Sequence, residues 1–249
     1  MEGFVRIIPK VGQEEYQTKL SKFSDLFHKA ELEMVIRGHR KAATLHISQE
    51  NLDRVILSLN ENGLMFTPLR KSGYYQGFAH THKEVKPGDP FYWYGCVTKT
   101  LADGKIFKAA DVTGDHNIIG ELLGFPKCCT EYFSNTFKTN VDPIWVGKEG
   151  DISGDVTCNQ MLRYFGARIT SHLSCHPECA DTIKIGQKWL EVMKEIDNEA
   201  TENLKALLSS SIIWDSYHGV VQVDTPFFIG LTHTSPKDNK PRIINWSVQ

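Results

Sequence analysis

The stretch GFPKCCTE (124–131) places two adjacent cysteines just after a proline. Gly124 follows an apolar segment, and glycine is the usual residue just past the end of a helix. Pro126 suits the first turn of a new helix, because its missing N–H has no helical partner there in any case. The stretch therefore predicts that one helix ends and another begins here, with Cys128 and Cys129 in the first turn of the second helix.

A second stretch, HPECA (176–180), repeats the order proline, any residue, cysteine. If Pro126 and Pro177 are both first helical residues, Cys128 and Cys179 both occupy the third helical position. Helix N-termini carry free N–H groups and a partial positive charge, which lower the pKa of a thiol and favour the thiolate. We expect the two thiol-bearing helix starts to face one shared site.

Of the six cysteines, five lie between residues 128 and 179. Four thiolates, or three thiolates and one imidazole, satisfy a tetrahedral metal site. The alternative is that these cysteines are small buried apolar residues, which is common for single free cysteines. Two similar settings favour the metal site, and its predicted cofactor-binding residues are Cys128, Cys129, Cys175 and Cys179, with His172 as a nearby ligand or proton carrier.

The identity of the metal is open at this stage. Neighbouring side chains on a helix diverge by about 100°, which fits a single zinc ion poorly. An iron–sulfur cluster attaches thiolates to several irons, so adjacent cysteines suit it better. We therefore expect an iron–sulfur cluster used for electron transfer or substrate activation, and keep a structural zinc in an interaction module as the alternative. A third alternative is a thiol-redox enzyme in which Cys128 and Cys129 act without metal.

Three segments resemble a family of uncharacterised prokaryotic proteins with a domain of unknown function: LLGFPKCCTEYF (122–133), SHLSCHPEC (171–179) and WDSYHGVVQVDTPFF (214–228). The family carries LG(Y/F)P-x-CC-x-x-x-F followed by H-x-x-C-x-x-x-C. The resemblance spans about 118–230, implies that the four cysteines and His172 act as one unit, and implies no activity. The series that begins at Cys96 is also loosely similar to the CCG-type domains of heterodisulfide reductases, although Thr130 replaces the glycine after the cysteine pair.

The fold class predicted is α+β, with a ferredoxin-like βαββαβ unit over residues 1–72. A mixed α/β domain with the cysteine-rich metal site follows over 73–249. The prediction of the first unit is based on hydrophobic periodicity and turn signals. Its predicted elements are a strand at 4–8, a helix at 13–28, strands at 33–38 and 42–48, a helix after Ser48 and a strand at 64–69.

The predicted elements of the second domain are less regular. Residues 71–112 look β-rich because of their aromatic residues, and LADGK (101–105) is typical of a turn. Asp115 is a good N-cap. The remaining elements expected are a loop at 141–157, helices at 159–173 and from Pro177 to about 195, and strands in the C-terminal tail.

Other histidines and cysteines are weaker candidates. His116 lies near the cysteine pair in sequence, which makes a proton-transfer role conceivable. His80 and His82 alternate on one strand face and form a candidate metal pair. For Cys96 and Cys158 the sequence leaves both a ligand role and core packing open.

Charge and hydropathy restrict the partners of the 249-residue chain. The formal net charge is −2, so no basic field argues for nucleic acid as a partner. No apolar run approaches the ~20 residues of a membrane span. The N-terminal stretch has no secretory apolar core, so we expect a cytoplasmic protein whose thiols stay reduced. The partners expected are a small-molecule substrate or a redox partner, which no motif identifies further.

Overall fold

The computed structural model describes residues 5–73, 85–137, 152–215, 220–233 and 241–248. The architecture is mixed α+β, as predicted. The chain forms two compact units, one of residues 31–130 and the other of residues 1–30 and 131–249. This division differs from the sequence-based one at residue 72.

The unit of residues 31–130 contains a three-stranded antiparallel sheet of order β2-β4-β3. Thr44 and Thr67 both pair with Cys96 of the central strand, which fixes the register. The elements of this unit are β2 (Ala42–Ser48), α2 (Leu52–Glu61), β3 (Met65–Gly73), β4 (Phe91–Thr98), α3 (Leu101–Thr113) and α4 (His116–Leu122).

Two apolar clusters form the core of this unit. Alternation along β4 sends successive side chains to opposite faces of the sheet, so neighbouring residues serve different clusters. Val97 packs with Val35, Leu59 and others in the first cluster. Cys96 packs with Phe107 of α3 and with others in the second. Both faces of the small sheet are thereby covered by apolar side chains.

The other unit contains a six-stranded sheet of order β1-β8-β7-β6-β9-β5. Only the β5–β9 pairing among these described strands is parallel. The strands are β1 (Val5–Pro9), β5 (Ile152–Asp155), β6 (Ile212–Asp215), β7 (Val220–Asp224), β8 (Phe228–His233) and β9 (Pro241–Ser247).

Helices complete both units. Helix α1 (Gln13–Ile36) and helix α5 (Lys127–Phe137) each contain a unit boundary, whereas α6 (Ala180–Ile196) and α7 (Asn198–Leu208) belong to the unit with the six-stranded sheet. In that unit, Phe27 of α1 stacks on Trp189 of α6 at 5.2 Å between ring centroids. Both rings are buried, so the stack contributes to a shared apolar core. No helix in the described part of the chain is long and apolar enough to cross a membrane.

The ferredoxin-like unit is not confirmed. Residues 33–38, predicted as a strand, form the end of α1 and the turn after it, and Gly38 adopts φ +72° there. Val35 and Ile36 are therefore part of a helical face, where they pack in the first apolar cluster. Strand β1 pairs with β8 rather than with the strands of residues 42–73.

Residues 101–113 form helix α3, so the predicted turn at 101–105 is wrong. Thr100 caps this helix by accepting the N–H of Asp103. Gly104, which suggested a turn, instead permits a close approach, because a Cβ there would lie 2.6 Å from Thr67 Oγ1. Gly104 therefore allows helix α3 to pack closely against Thr67 of strand β3.

Residues 159–173 do not form the predicted helix; a short 3-10 turn at 161–165 ends at Gly166, which has φ +81°. Of the predicted loop at 141–157, residues 141–151 lie outside the described residues, residues 152–155 form β5, and a 3-10 turn of residues 156–158 follows. The strands predicted for the C-terminal tail are confirmed by β6 to β9. His80 and His82 lie outside the described residues.

Candidate metal centre

The first cysteine segment is a helix start, as its sequence indicates. Gly124 follows α4 with φ +68°, a left-handed conformation that favours glycine. The carbonyl oxygen of Pro126 accepts the N–H groups of Cys129 and Thr130, both at 3.0 Å. Pro126 is therefore the N-cap rather than the first helical residue, and Cys128 and Cys129 belong to the first turn of α5.

The start of α5 packs closely on α4. A Cβ at Gly120 would lie 2.5 Å from Thr130 Oγ1 and 2.8 Å from its Cγ2. Thr130 Oγ1 in turn donates to the Pro126 carbonyl at 3.3 Å. Gly120 thus allows the contact that holds the cysteine-bearing turn against the preceding helix.

The second cysteine segment is a compact turn rather than a helix start. The carbonyl of His176 accepts the N–H of Cys179 at 3.2 Å and the hydroxyl of Ser174 at 2.7 Å. The N–H of Glu178 donates to Nδ1 of the same histidine at 3.2 Å. Helix α6 begins only at Ala180, with Cys179 as its N-cap. The expected match between the two helix starts is therefore wrong, because Cys179 precedes its helix.

Strand β5 anchors this turn. The N–H of Asp155 donates to the Pro177 carbonyl at 3.0 Å, and Ser153 Oγ donates to Glu178 Oε1 at 3.2 Å. A Cβ at Gly154 would lie 2.7 Å from Pro177 Cβ, so the proline ring sits directly on the strand backbone. These contacts fix the backbone between Cys175 and Cys179.

A fifth thiol supports the turn from inside the same unit. Cys158 Sγ lies 3.9 Å from the carbonyl oxygen of Cys179 and is oriented to donate to it. Burial raises the pKa of Cys158 to about 11, which keeps its thiol protonated at neutral pH. Cys158 lies outside the group of four mutually close sulfurs described below, so the structure favours a supporting contact for this residue over a ligand role.

Four thiols converge on one point. The Sγ atoms of Cys128, Cys129, Cys175 and Cys179 all lie within 4.8 Å of one another, and the four residues are able to hold a metal ion. The side chains of Cys129 and Cys179 are buried, with 1% and 2% of their surface exposed. Cys128 and Cys175 are half-buried. The site therefore has a buried side and an accessible side.

The adjacent cysteines converge despite the helical backbone. Cys128 Sγ lies 3.9 Å from Cys129 Sγ. The two neighbouring helical side chains therefore bring their sulfurs close enough together to bind a single ion. The Cα–Cβ bonds of the two residues diverge, but the χ1 rotamer of each cysteine sets the position of its Sγ and allows the two sulfurs to approach.

The two histidines with predicted catalytic roles lie outside the group of four sulfurs. His172 is buried, and its Nε2 lies 2.9 Å from Thr182 Oγ1 in the first turn of α6. Ser174 Oγ donates to the same hydroxyl at 3.3 Å. His116 is the first residue of α4, and its N–H donates to the Gly114 carbonyl. The role of His172 as a ligand or proton carrier and the role of His116 in proton transfer stay predictions.

Sequence reasoning missed the residues that support the turn. Gly154, Asp155 and Thr182 contact the cysteine turn or its helix, yet none belongs to a cysteine or histidine motif. The one local signal was the spacing Asp155-x-Thr157, since Asp155 caps the following 3-10 turn by accepting the N–H of Thr157. That signal predicts a cap and not proximity to a metal site.

The chemistry of the donor set narrows the choice of ligand. Four soft thiolates in close contact suit zinc or iron and are poor ligands for magnesium or calcium. The positions of the four sulfurs indicate a site that is able to bind a metal ion and do not indicate a reaction. Comparison with protein-family models, with curated proteins and with solved structures gives no match to this chain.

Proposed function

We propose that the protein is a metal-stabilised module in which one zinc ion is bound by Cys128, Cys129, Cys175 and Cys179. The observation that carries this proposal is the mutual approach of the four Sγ atoms to within 4.8 Å. The ion joins the first turn of α5 to the turn before α6.

The sulfur spacing supports a single ion. Zn–S bonds of about 2.3 Å in a tetrahedron place the sulfurs about 3.8 Å apart. Cys128 and Cys129 already have their sulfurs 3.9 Å apart, and no pair of the four exceeds 4.8 Å. Thiolates bound to different irons of a cluster point away from its centre, so they lie farther apart than thiolates on one ion.

The number of protein ligands supports a structural rather than a catalytic zinc. Structural zinc sites have four protein ligands, whereas catalytic sites keep one position for water or substrate. Here four thiols are present, and the backbone on either side of them is held by hydrogen bonds. The metal then contributes binding free energy directly to folding.

An iron–sulfur protein is the second candidate. Its support is that Cys128 and Cys175 are half-buried, because a redox centre near the surface exchanges electrons with a partner or acts on a small-molecule substrate more readily. A metal-free thiol-redox enzyme is the third candidate. All three candidates fit a cytoplasmic protein, because thiols stay reduced in that compartment. If the chain belongs to the domain-of-unknown-function family that it resembles, the other members are expected to share the site.

Elemental analysis of protein purified without oxygen tests the proposal. We expect one zinc per chain and a colourless preparation. Replacement by Co²⁺ should give the intense visible bands of tetrahedral cobalt thiolates. A brown protein with several irons and acid-labile sulfide per chain would establish the second candidate instead, and metal-free protein in which Cys128 or Cys129 is rapidly alkylated would establish the third.

Cys96→Ala is the matched control for ligand variants. Cys96 is fully buried, packs with Phe107 and Leu122 in the unit of residues 31–130, and lies outside the group of four sulfurs. This variant should retain one metal per chain. Each of the four ligand variants to serine should lose it, with folding of each variant checked by circular dichroism.

A further inference from the structure

We propose that Cys128 and Cys175 are the positions at which hydroperoxides modify this site, and that the product is a Cys128–Cys175 disulfide with release of the metal ion. The inference rests on the proposed function, because it assumes that the four thiolates share one ion. It adds an oxidative modification site, its oxidant class and its product.

Exposure selects the two thiolates that meet the oxidant. Cys128 and Cys175 are half-buried, whereas Cys129 and Cys179 expose 1% and 2% of their surface. A peroxide must contact the sulfur that attacks it, and susceptibility follows thiolate character and exposure. Metal binding keeps all four sulfurs as thiolates, so exposure is the property that separates the two pairs.

Covalent geometry excludes the adjacent Cys129 as the disulfide partner of Cys128. Cys128 and Cys129 have their sulfurs only 3.9 Å apart. Their Cα atoms, however, are consecutive and lie about 3.8 Å apart across a trans peptide, which is below the range of about 4.4–6.8 Å found in disulfides. A bond between them would distort the first turn of α5. The remaining accessible sulfur within 4.8 Å is that of Cys175.

Cys179 is a poorer partner than Cys175. It is buried, it is the N-cap of α6, and its N–H and carbonyl oxygen lie in contacts with His176 and Cys158. Cys175 precedes that fixed turn and is half-buried. Approach to the S–S bond length of about 2 Å is therefore easier at Cys175 than at the buried N-cap Cys179.

The chemistry balances with a hydroperoxide as the oxidant. One thiolate attacks the O–O bond, forms S–OH and releases hydroxide or alkoxide. The second thiolate attacks that sulfur, forms the S–S bond and expels hydroxide. Two thiolates lose two electrons, the peroxide gains them, and two protons from solvent give two waters, or one water and an alcohol. The metal is not oxidised and leaves because two of its four ligands are consumed.

Peptide mapping of the metal-loaded full chain tests the inference. Hydrogen peroxide is added at one equivalent, free thiols are then blocked, and released zinc is measured with a chromophoric chelator. Trypsin with a glutamate-specific protease yields CCTE (128–131), ITSHLSCHPE (169–178) and CADTIK (179–184), which separates Cys175 from Cys179. Fragmentation of the linked peptide distinguishes Cys128 from Cys129.

We expect one disulfide for each zinc released, linking Cys128 to the 169–178 peptide. Cys96→Ala should give the same linkage, because Cys96 lies outside the group of four sulfurs and packs in a separate apolar cluster. A dominant linkage to the 179–184 peptide, a bond within either segment, or oxidation that leaves all the zinc bound would overturn the inference. Failure of the proposed function is separate, since it appears as missing zinc before any peroxide is added.

Discussion

The segments 124–131 and 174–180 contain the same order of proline, one residue and cysteine, yet they hold their cysteines in different ways. In the first, the Pro126 carbonyl starts a helix and both cysteines lie in its first turn. In the second, the His176 carbonyl closes a turn, and Cys179 only then caps a helix. The comparison teaches that the same order of proline, one residue and cysteine places one thiol inside the first turn of a helix and the other at an N-cap, so the motif alone does not fix the position of a thiol relative to its helix.

Loss of one buried ligand from either segment should have the largest effect. Cys129→Ser and Cys179→Ser are each expected to abolish stoichiometric zinc and to remove its contribution to folding. That contribution is about 4 kcal/mol when free metal exceeds the dissociation constant 1,000-fold. Elemental analysis and urea unfolding with and without zinc measure both effects. If one of the two variants keeps one zinc per chain, the two segments are not equal halves of one site.

Matched glycine variants should separate the two scaffolds. Gly154→Ala places a Cβ 2.7 Å from Pro177 Cβ and 2.7 Å from the Trp246 ring, and neither neighbour is the flexible end of a side chain. We expect a loss of about 3 kcal/mol in stability and weaker zinc binding. In Gly120→Ala the three nearest atoms all belong to the Thr130 side chain, and alanine gains about 1 kcal/mol of helix propensity, so the net cost of this variant should be smaller.

Chemical unfolding together with zinc titration of both glycine variants measures this difference. The pair tests whether the turn before α6 is the more rigidly supported segment. Equal losses of stability and of zinc affinity in the two variants would remove the distinction between the scaffolds.

Cys96 serves as the reference thiol, because it lies in neither segment. Burial raises its pKa from an ordinary value of 9.0 to about 11. The folded state thus keeps a proton that the unfolded state releases, so the stabilisation is complete below pH 9.0 and is lost as pH rises through about 11. Between pH 8 and pH 11 the free energy of unfolding of the parent should fall by about 2 kcal/mol more than that of Cys96→Val. Urea unfolding at both pH values measures this difference. Identical pH profiles of the two proteins would contradict the buried-thiol assignment.

The smallest effect should follow from removing Cys158, a thiol outside the group of four. Among the described residues, this thiol contacts the second segment and no comparable thiol contacts the first. Cys158 Sγ approaches the Cys179 carbonyl at 3.9 Å. Removing groups that hold a metal ligand in place typically lowers metal affinity by about 10-fold to 100-fold. For this weak contact, Cys158→Ala should lower zinc affinity by about tenfold while the Co²⁺ spectrum keeps its four-thiolate form. A spectrum that changes to three sulfurs would instead make Cys158 a ligand.

The cysteine site was predictable because its information is local. Gly124, Pro126 and the cysteine pair specify a helix start within one residue of the observed one. The contacts that support the second segment were not predictable, since Gly154 meets Pro177 and Asp155 donates to the same proline across more than twenty residues of sequence. Such contacts depend on tertiary packing, which a sequence motif does not encode.

The N-terminal fold shows the same limit. Val35 and Ile36 fit both a strand and a helical face, and tertiary packing in the first apolar cluster decides for the helix. The pairing of β1 with β8 was equally inaccessible, because Val5 and its partner Thr232 lie at opposite ends of the chain. Strand partners of that separation follow from the whole sheet rather than from either strand.

One unit is continuous in sequence, and the other consists of the residues before and after it, so the two units are completed at different times during synthesis. Residues 31–130 are continuous in sequence, so this unit can fold as it emerges from the ribosome, because chains generally fold in units from the N-terminus. Strand β1 is synthesised well before β8 (Phe228–His233), and its backbone groups find their sheet partners only when β8 has emerged. A truncation before residue 228 would therefore leave β1 without its partner β8 in that sheet, with its edge exposed to aggregation.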